Sequence, residues 1–242
     1  MFAQRLDGQS LASMARALND AGTTVRATSG RPAPLGMVSR LAEPIGVLPL
    51  GHSYRPGVTD FWSLIEDSAG HADRAGWIES QLAARTPAEI VEFDVAFTAA
   101  RRRAETWTMW AAAYRITSGL CSGDGFWYFL PWLVGLGRDS FDRLSADPDA
   151  LAEVPQVRRL ATLRADQWTD DDWPEWEALN YVSRQAYDTA TGESEGIIDA
   201  LRAVHHDYPE DPAPTGNRWA FDDETEMSRR LPRLSALFPS TR

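Results

Sequence analysis

Cys121 is the only cysteine of the chain, and it stands at the head of Cys121-Ser122-Gly123-Asp124-Gly125-Phe126. A thiol beside a helix N-terminus is a candidate nucleophile, because the positive end of the helix dipole lowers its pKa. No histidine lies near it in sequence, and a lone cysteine among aromatic residues also serves as packing. Asp124 and Arg138 form a second candidate, either a structural ion pair or a guanidinium fork that clamps an anion. The acidic run Asp170, Asp171, Asp172, Glu175 and Glu177 offers oxygen ligands for a divalent cation. It lacks the glycine and alternate ligand spacing of an EF-hand loop, so it reads as a solvated helix N-terminus. His205 and His206 are adjacent, point about 100° apart on a helix and cannot chelate together. Phosphate loops, dinucleotide fingerprints, zinc spacings and nucleophile elbows are absent, so neither a metal nor a cofactor is expected.

The elements that would position these groups lie in residues 107–149, which hold four of the ten Trp residues. Trp107, Trp110, Ala111 and Tyr114 fall at i, i+3, i+4 and i+7, which puts them on one helix face. Gly119 supplies a left-handed stop and Ser122 an N-cap, with Asp124 in the next first turn. The second helix carries Phe126, Phe129, Leu130 and Leu133, with Pro131 inside, so it either begins late or kinks. Asp139 is the expected cap of a third helix through Leu144, stopped at Asp147-Pro148. We expect these aromatic side chains to face each other and make an interior rather than a cleft. The candidate ligand or partner site drawn from this stretch is Trp110, Cys121, Ser122, Asp124, Phe126, Trp132 and Arg138, with no residue assigned a catalytic role.

Several motifs occur here in a fixed order: WAAAY at 110–114, CSGDGFWYF at 121–129, WLVGLGRDSF at 132–141 and ADPDALA at 146–152. Together with Phe61-Trp62 and WAFDDETEMSRRLPRLSALF at 219–238, they resemble the largely actinobacterial family called domain of unknown function 4240. The resemblance covers residues 58–238. Gly123 stands where that family usually carries the first of two aspartates. The resemblance implies no activity, because the family has none assigned.

Before this region, Leu6, Leu11, Met14, Ala15 and Leu18 mark a helix within residues 1–22, with Ser10 as cap and Gly22 as stop. The run RLDGQSLASMARALNDAG resembles part of the recombinase region of actinobacterial serine recombinases, without their catalytic domain. Residues 23–57 are rich in Pro and Gly and read as a linker. From Thr59 the helical signals return. Thr59 or Asp60 caps a short helix, Ala72–Ala84 makes a second, and Thr86-Pro87-Ala88-Glu89 opens a third with a capping box. That third helix is in register with Trp107 and is expected to run into it. Beyond Asp149, Thr169 is expected to cap a helix ended by Gly192, followed by helices over 193–206 and 222–230 and a tail at 239–242.

The fold class expected is all-α, an irregular multi-helix domain over 58–238 behind an extended N-terminal arm. Net charge is −11, which works against binding nucleic acid or anionic membrane; residues 1–22 are the exception, as a weak contact with DNA. No apolar run is long enough to span a bilayer and no signal-peptide core is present, so no membrane partner is expected. One cysteine suits a reducing cytoplasm. The function favoured is a non-catalytic cytoplasmic interaction or regulatory module with a protein partner, on the absence of a complete catalytic constellation and a Trp-rich composition. The alternatives are a small-molecule-binding or hydrolytic enzyme using the Cys121–Arg138 turn, and DNA association through the N-terminal helix.

Overall fold

The computed structural model of the protein describes residues 58–206 and 213–240. The helix expected within residues 1–22 and the linker after it lie outside those residues. Eleven α-helices are described, joined by short 3₁₀ turns: α1 (Val58–Asp67), α2 (Arg74–Ala83), α3 (Pro87–Ala104), α4 (Trp107–Ile116), α5 (Gly123–Val134), α6 (Arg138–Ala146), α7 (Pro155–Leu160), α8 (Val182–Thr191), α9 (Gly196–Ala203), α10 (Glu224–Arg230) and α11 (Pro232–Leu237). No strand forms among the described residues, so the domain is all-α as expected. A single parallel bridge joins Thr106 to Thr215.

Local signals set most helix ends. Thr86 Oγ1 accepts from Glu89 N while the Glu89 carboxylate accepts from Thr86 N, closing the capping box that opens α3. Such a cap contributes about 1 kcal/mol. Ser122 caps α5 through Gly125 N at 3.1 Å. α4 ends in a Schellman turn: Ser118 (φ +53°) takes the left-handed position and donates to Arg115 O, and Gly119 (φ +87°) makes the six-to-one bond to Tyr114 O. Gly192 ends α8 in the left-handed region as expected.

Three boundaries differ from expectation, and each difference has a partner distant in sequence. First, α3 and α4 are separate. Trp107 N donates to Thr215 O and Thr215 N donates to Glu105 O, so the incoming C-terminal strand-like segment holds the junction extended. Thr106 then caps α4 through Met109 N. Second, Asp139 does not cap α6. Gly137 occupies the cap position at φ +87°, and Glu66 Oε1 of α1 accepts from Arg138 N at 2.9 Å. Third, residues 170–191 are not one helix. The Asp172 carboxylate turns back onto Thr169 N and Oγ1 and pairs with Arg159, and Trp176 N donates to Tyr128 O of α5. The chain is drawn onto α5, passes through two short 3₁₀ turns, and becomes α-helical again only at Val182. By contrast α5 starts at Gly123 and runs through Pro131 rather than beginning late.

In the core, α8 packs on α2 and α3, and α11 packs on the turn Pro148–Glu153 beside α4. The buried side of α4 is Met109, Ala111, Ala112, Ala113 and Ile116, all with no exposed surface. Three consecutive alanines let neighbouring elements approach the α4 backbone closely, since interaxial distance follows the side chains at the contact. Of the expected stripe, then, only Ala111 is core, while Trp107, Trp110 and Tyr114 are half-buried.

Candidate functional site

The half-buried face of α4 lines a cavity of about 460 Å³, walled by Trp107, Trp110, Tyr114 and Cys121 on one side and Arg218, Trp219, Ala220 and Phe221 on the other. Its position follows from the Thr106–Thr215 bridge, which brings the C-terminal segment alongside the start of α4. Trp110 stacks nearly parallel on Trp107 (centroids 5.4 Å, 7°) and on Phe126 of α5 (5.1 Å, 1°). Its indole N–H donates to Cys121 O at 3.3 Å, fixing the ring against the α4–α5 turn. Phe221 meets these rings at steep angles, 56° to Trp107, 63° to Trp110 and 52° to Tyr114, and Trp219 closes the wall edge-on to Phe221. Such tilted contacts use the ring quadrupoles favourably and leave a gap that parallel packing would fill.

Of the residues proposed from sequence, Trp110 and Cys121 line this cavity and Phe126 supports it from behind. Ser122 serves as the α5 cap, and Asp124 is exposed in the first turn of that helix. Trp132 packs against Phe129 at 5.2 Å, away from the cavity lining. Arg138 starts α6 and its guanidinium lies 3.9 Å from Asp142, so it forms no pair with Asp124. Trp107 and Tyr114, expected in the interior, line the cavity instead, and Arg218, Trp219 and Phe221 join them from outside the expected site. The motif Trp219-Ala220-Phe221 was visible in sequence, but its placement beside α4 depends on a contact 109 residues away, Thr106 to Thr215.

Burial, and then the Glu175 carboxylate, push the Cys121 thiol up to about 12, so it stays protonated near neutrality. It donates weakly to Ser122 O and has no histidine partner among the described residues. Thiolate is the reactive form. Alkylation of folded protein by iodoacetamide at pH 8 is therefore expected to be at least about a hundredfold slower than alkylation of unfolded chain, followed by mass spectrometry. Comparable rates would show the thiol is accessible and ionisable. The same shift makes a stability statement: folded Cys121 keeps its proton above the unfolded value of 9.0, so its contribution is lost as pH rises from there toward about 12.

A Cβ built at Gly123 meets nothing within 4 Å, so the backbone there has open space for a side chain to start. The acidic run at 170–177 is used structurally through Asp172, and no group of three or more His, Cys, Asp or Glu is placed to hold a metal among the described residues. No described helix is long and apolar enough to cross a membrane.

The fold and site thus define an all-helical domain with an aromatic cavity between its fourth helix and its C-terminal segment. The chain belongs to the family described as protein of unknown function (DUF4240), which matches residues 57–189, more than half of the chain. No curated protein and no solved structure matches it.

Proposed function

We propose that this protein is a non-catalytic cytoplasmic binding module whose ligand sits in the aromatic cavity between α4 and residues 218–221. The observation that supports this is the cavity itself: about 460 Å³, lined by five aromatic rings, with a thiol held protonated as its only candidate nucleophile. Its volume is that of a small-molecule seat. A free small molecule and a side chain projecting from a protein partner would meet the same indoles. The single thiol suits a reducing compartment. The working domain extends to residue 238, because Leu231 and Leu234 have no exposed surface and the cavity needs Trp219 and Phe221.

The test is a neutral environment-sensitive dye, N-phenyl-1-naphthylamine, titrated into the full chain. Binding with enhanced emission is expected, weakened at least tenfold by Trp107→Ala or Phe221→Ala, which remove stacking and edge contacts. Cys121→Ala is expected to leave affinity within about twofold. Circular dichroism melts identify any variant that fails to fold. Dye binding that ignores both aromatic substitutions would place the ligand elsewhere and end this reading.

A further inference from the structure

We infer that the cavity takes a small planar molecule carrying one anionic group, its ring among the indoles and its anion at Arg218. This rests on the cavity being a binding seat, and it adds the chemical class of the ligand. The Arg218 side chain is exposed, its guanidinium lies 5.0 Å from the Trp107 ring centroid, and it pairs with no carboxylate among the described residues. Nearby arginines are committed: Arg115 to Glu224, Arg229 and Arg230 to Glu226, and Arg233 to Asp147, Asp149 and Glu153. The Arg218 fork is thus open to an anion at the cavity wall. The Trp219 ring lies in the same wall, and its Nε1 is buried without an acceptor, a state that costs free energy and that a small turn of the ring toward an oxyanion would relieve.

The sign of the charge follows from what the rings already carry. An aromatic cage binds a cation through its ring faces, but here Arg218 lies over Trp107 and Arg230 over Trp219 at 5.1 Å. A further cation would find both ring faces already covered and would meet the unpaired charge of Arg218. An anion would meet attraction from Arg218, with Arg230 largely offset by Glu226. The flat shape follows from the walls: Trp107 and Trp110 are 7° from parallel, and Phe221 stands across them. A planar body stacks or wedges there with offset or edge-on geometry. Polyanions fit poorly, since the chain carries a net −11 and long-range repulsion opposes them.

Three probes of one ring system separate the possibilities: indole-3-acetate, indole and tryptamine, titrated into the full chain at low ionic strength by NMR. Indole-3-acetate is expected to bind at least tenfold more tightly than tryptamine, with indole between them, and to move the Trp219 indole N–H resonance. Arg218→Gln is expected to weaken indole-3-acetate at least tenfold more than it weakens indole. Equal affinities for the three, or a preference for tryptamine, would overturn the anionic assignment while leaving the cavity a binding seat. Failure of all three probes where the neutral dye still binds would overturn the ligand class alone. Failure of probes and dye together would remove both readings.

Discussion

Replacing Phe141 with alanine is expected to lower the unfolding free energy by about 3–5 kcal/mol, the range for deleting a fully buried phenylalanine ring. Phe141 has no exposed surface. Its ring lies 5.2 Å from Trp62 of α1, and the Arg103 guanidinium of α3 sits 4.6 Å above it, so one side chain joins α6 to two earlier helices. Each of those helices has a second contact with α6, Glu66 to Arg138 N from α1 and Arg103 to Asp142 from α3, which limits how far they can collapse into the space left behind. Incomplete collapse puts the cost toward the upper end of the range. Urea denaturation followed by circular dichroism measures it, and Phe141→Leu, which keeps most of the volume, should lose less than half as much. A loss below about 1 kcal/mol for the alanine variant would mean the α1–α3–α6 contact is not a packed core.

The second large effect is expected at Asp149. Its carboxylate accepts from Leu234 N at 2.9 Å and from Arg233 N and Nε at 3.0 Å each, so it caps α11 from the far side of the sequence. The side chain is 7% exposed while Arg233 is 42% exposed. The guanidinium contact is therefore screened and contributes little. It is also duplicated by Asp147 and Glu153. The weight falls on the two backbone amides, which would be left without an acceptor. Charge-assisted bonds of this kind contribute roughly 1.5 kcal/mol or more each, so Asp149→Ala is expected to cost about 3 kcal/mol. Asp149→Asn keeps one acceptor oxygen and should recover part of the loss. Because α11 carries Leu231 and Leu234 onto the core beside α4, the alanine variant should also loosen residues 213–240 and weaken dye binding at Trp219 and Phe221. Hydrogen exchange confined to that segment would show the cap acting locally; unchanged stability would show that α11 is held by its apolar contacts alone.

The aspartates of ADPDALA, one of the motifs that carried the family resemblance, thus act in the structure as acceptors for a helix beyond the matched residues. Arg233 is held well above its ordinary pKa by the hydrogen bonds it donates to Asp147 and Asp149. These two carboxylates dock the last helix onto the domain. Nothing in the spacing of Asp147 and Asp149 indicates that role, because it needs Arg233 to be brought across more than eighty residues.

What the sequence determined by itself was local. Thr86 with Glu89, Ser122, Gly119 and Gly192 each set a helix end through atoms within five residues, and helical periodicity without alternation gave the all-α class. What only the tertiary structure decided was which way faces point and where distant segments arrive. Periodicity places Trp107, Trp110 and Tyr114 on one side of α4, yet the same helix offers Met109, Ala112, Ala113 and Ile116 on others, and packing took these less bulky side chains into the core. The indoles were left to line a cavity completed by Trp219 and Phe221. Helix ends are made of bonds between near neighbours and can be read along the chain; an interior is made by surfaces competing for burial, and that competition is settled only when all of them are present.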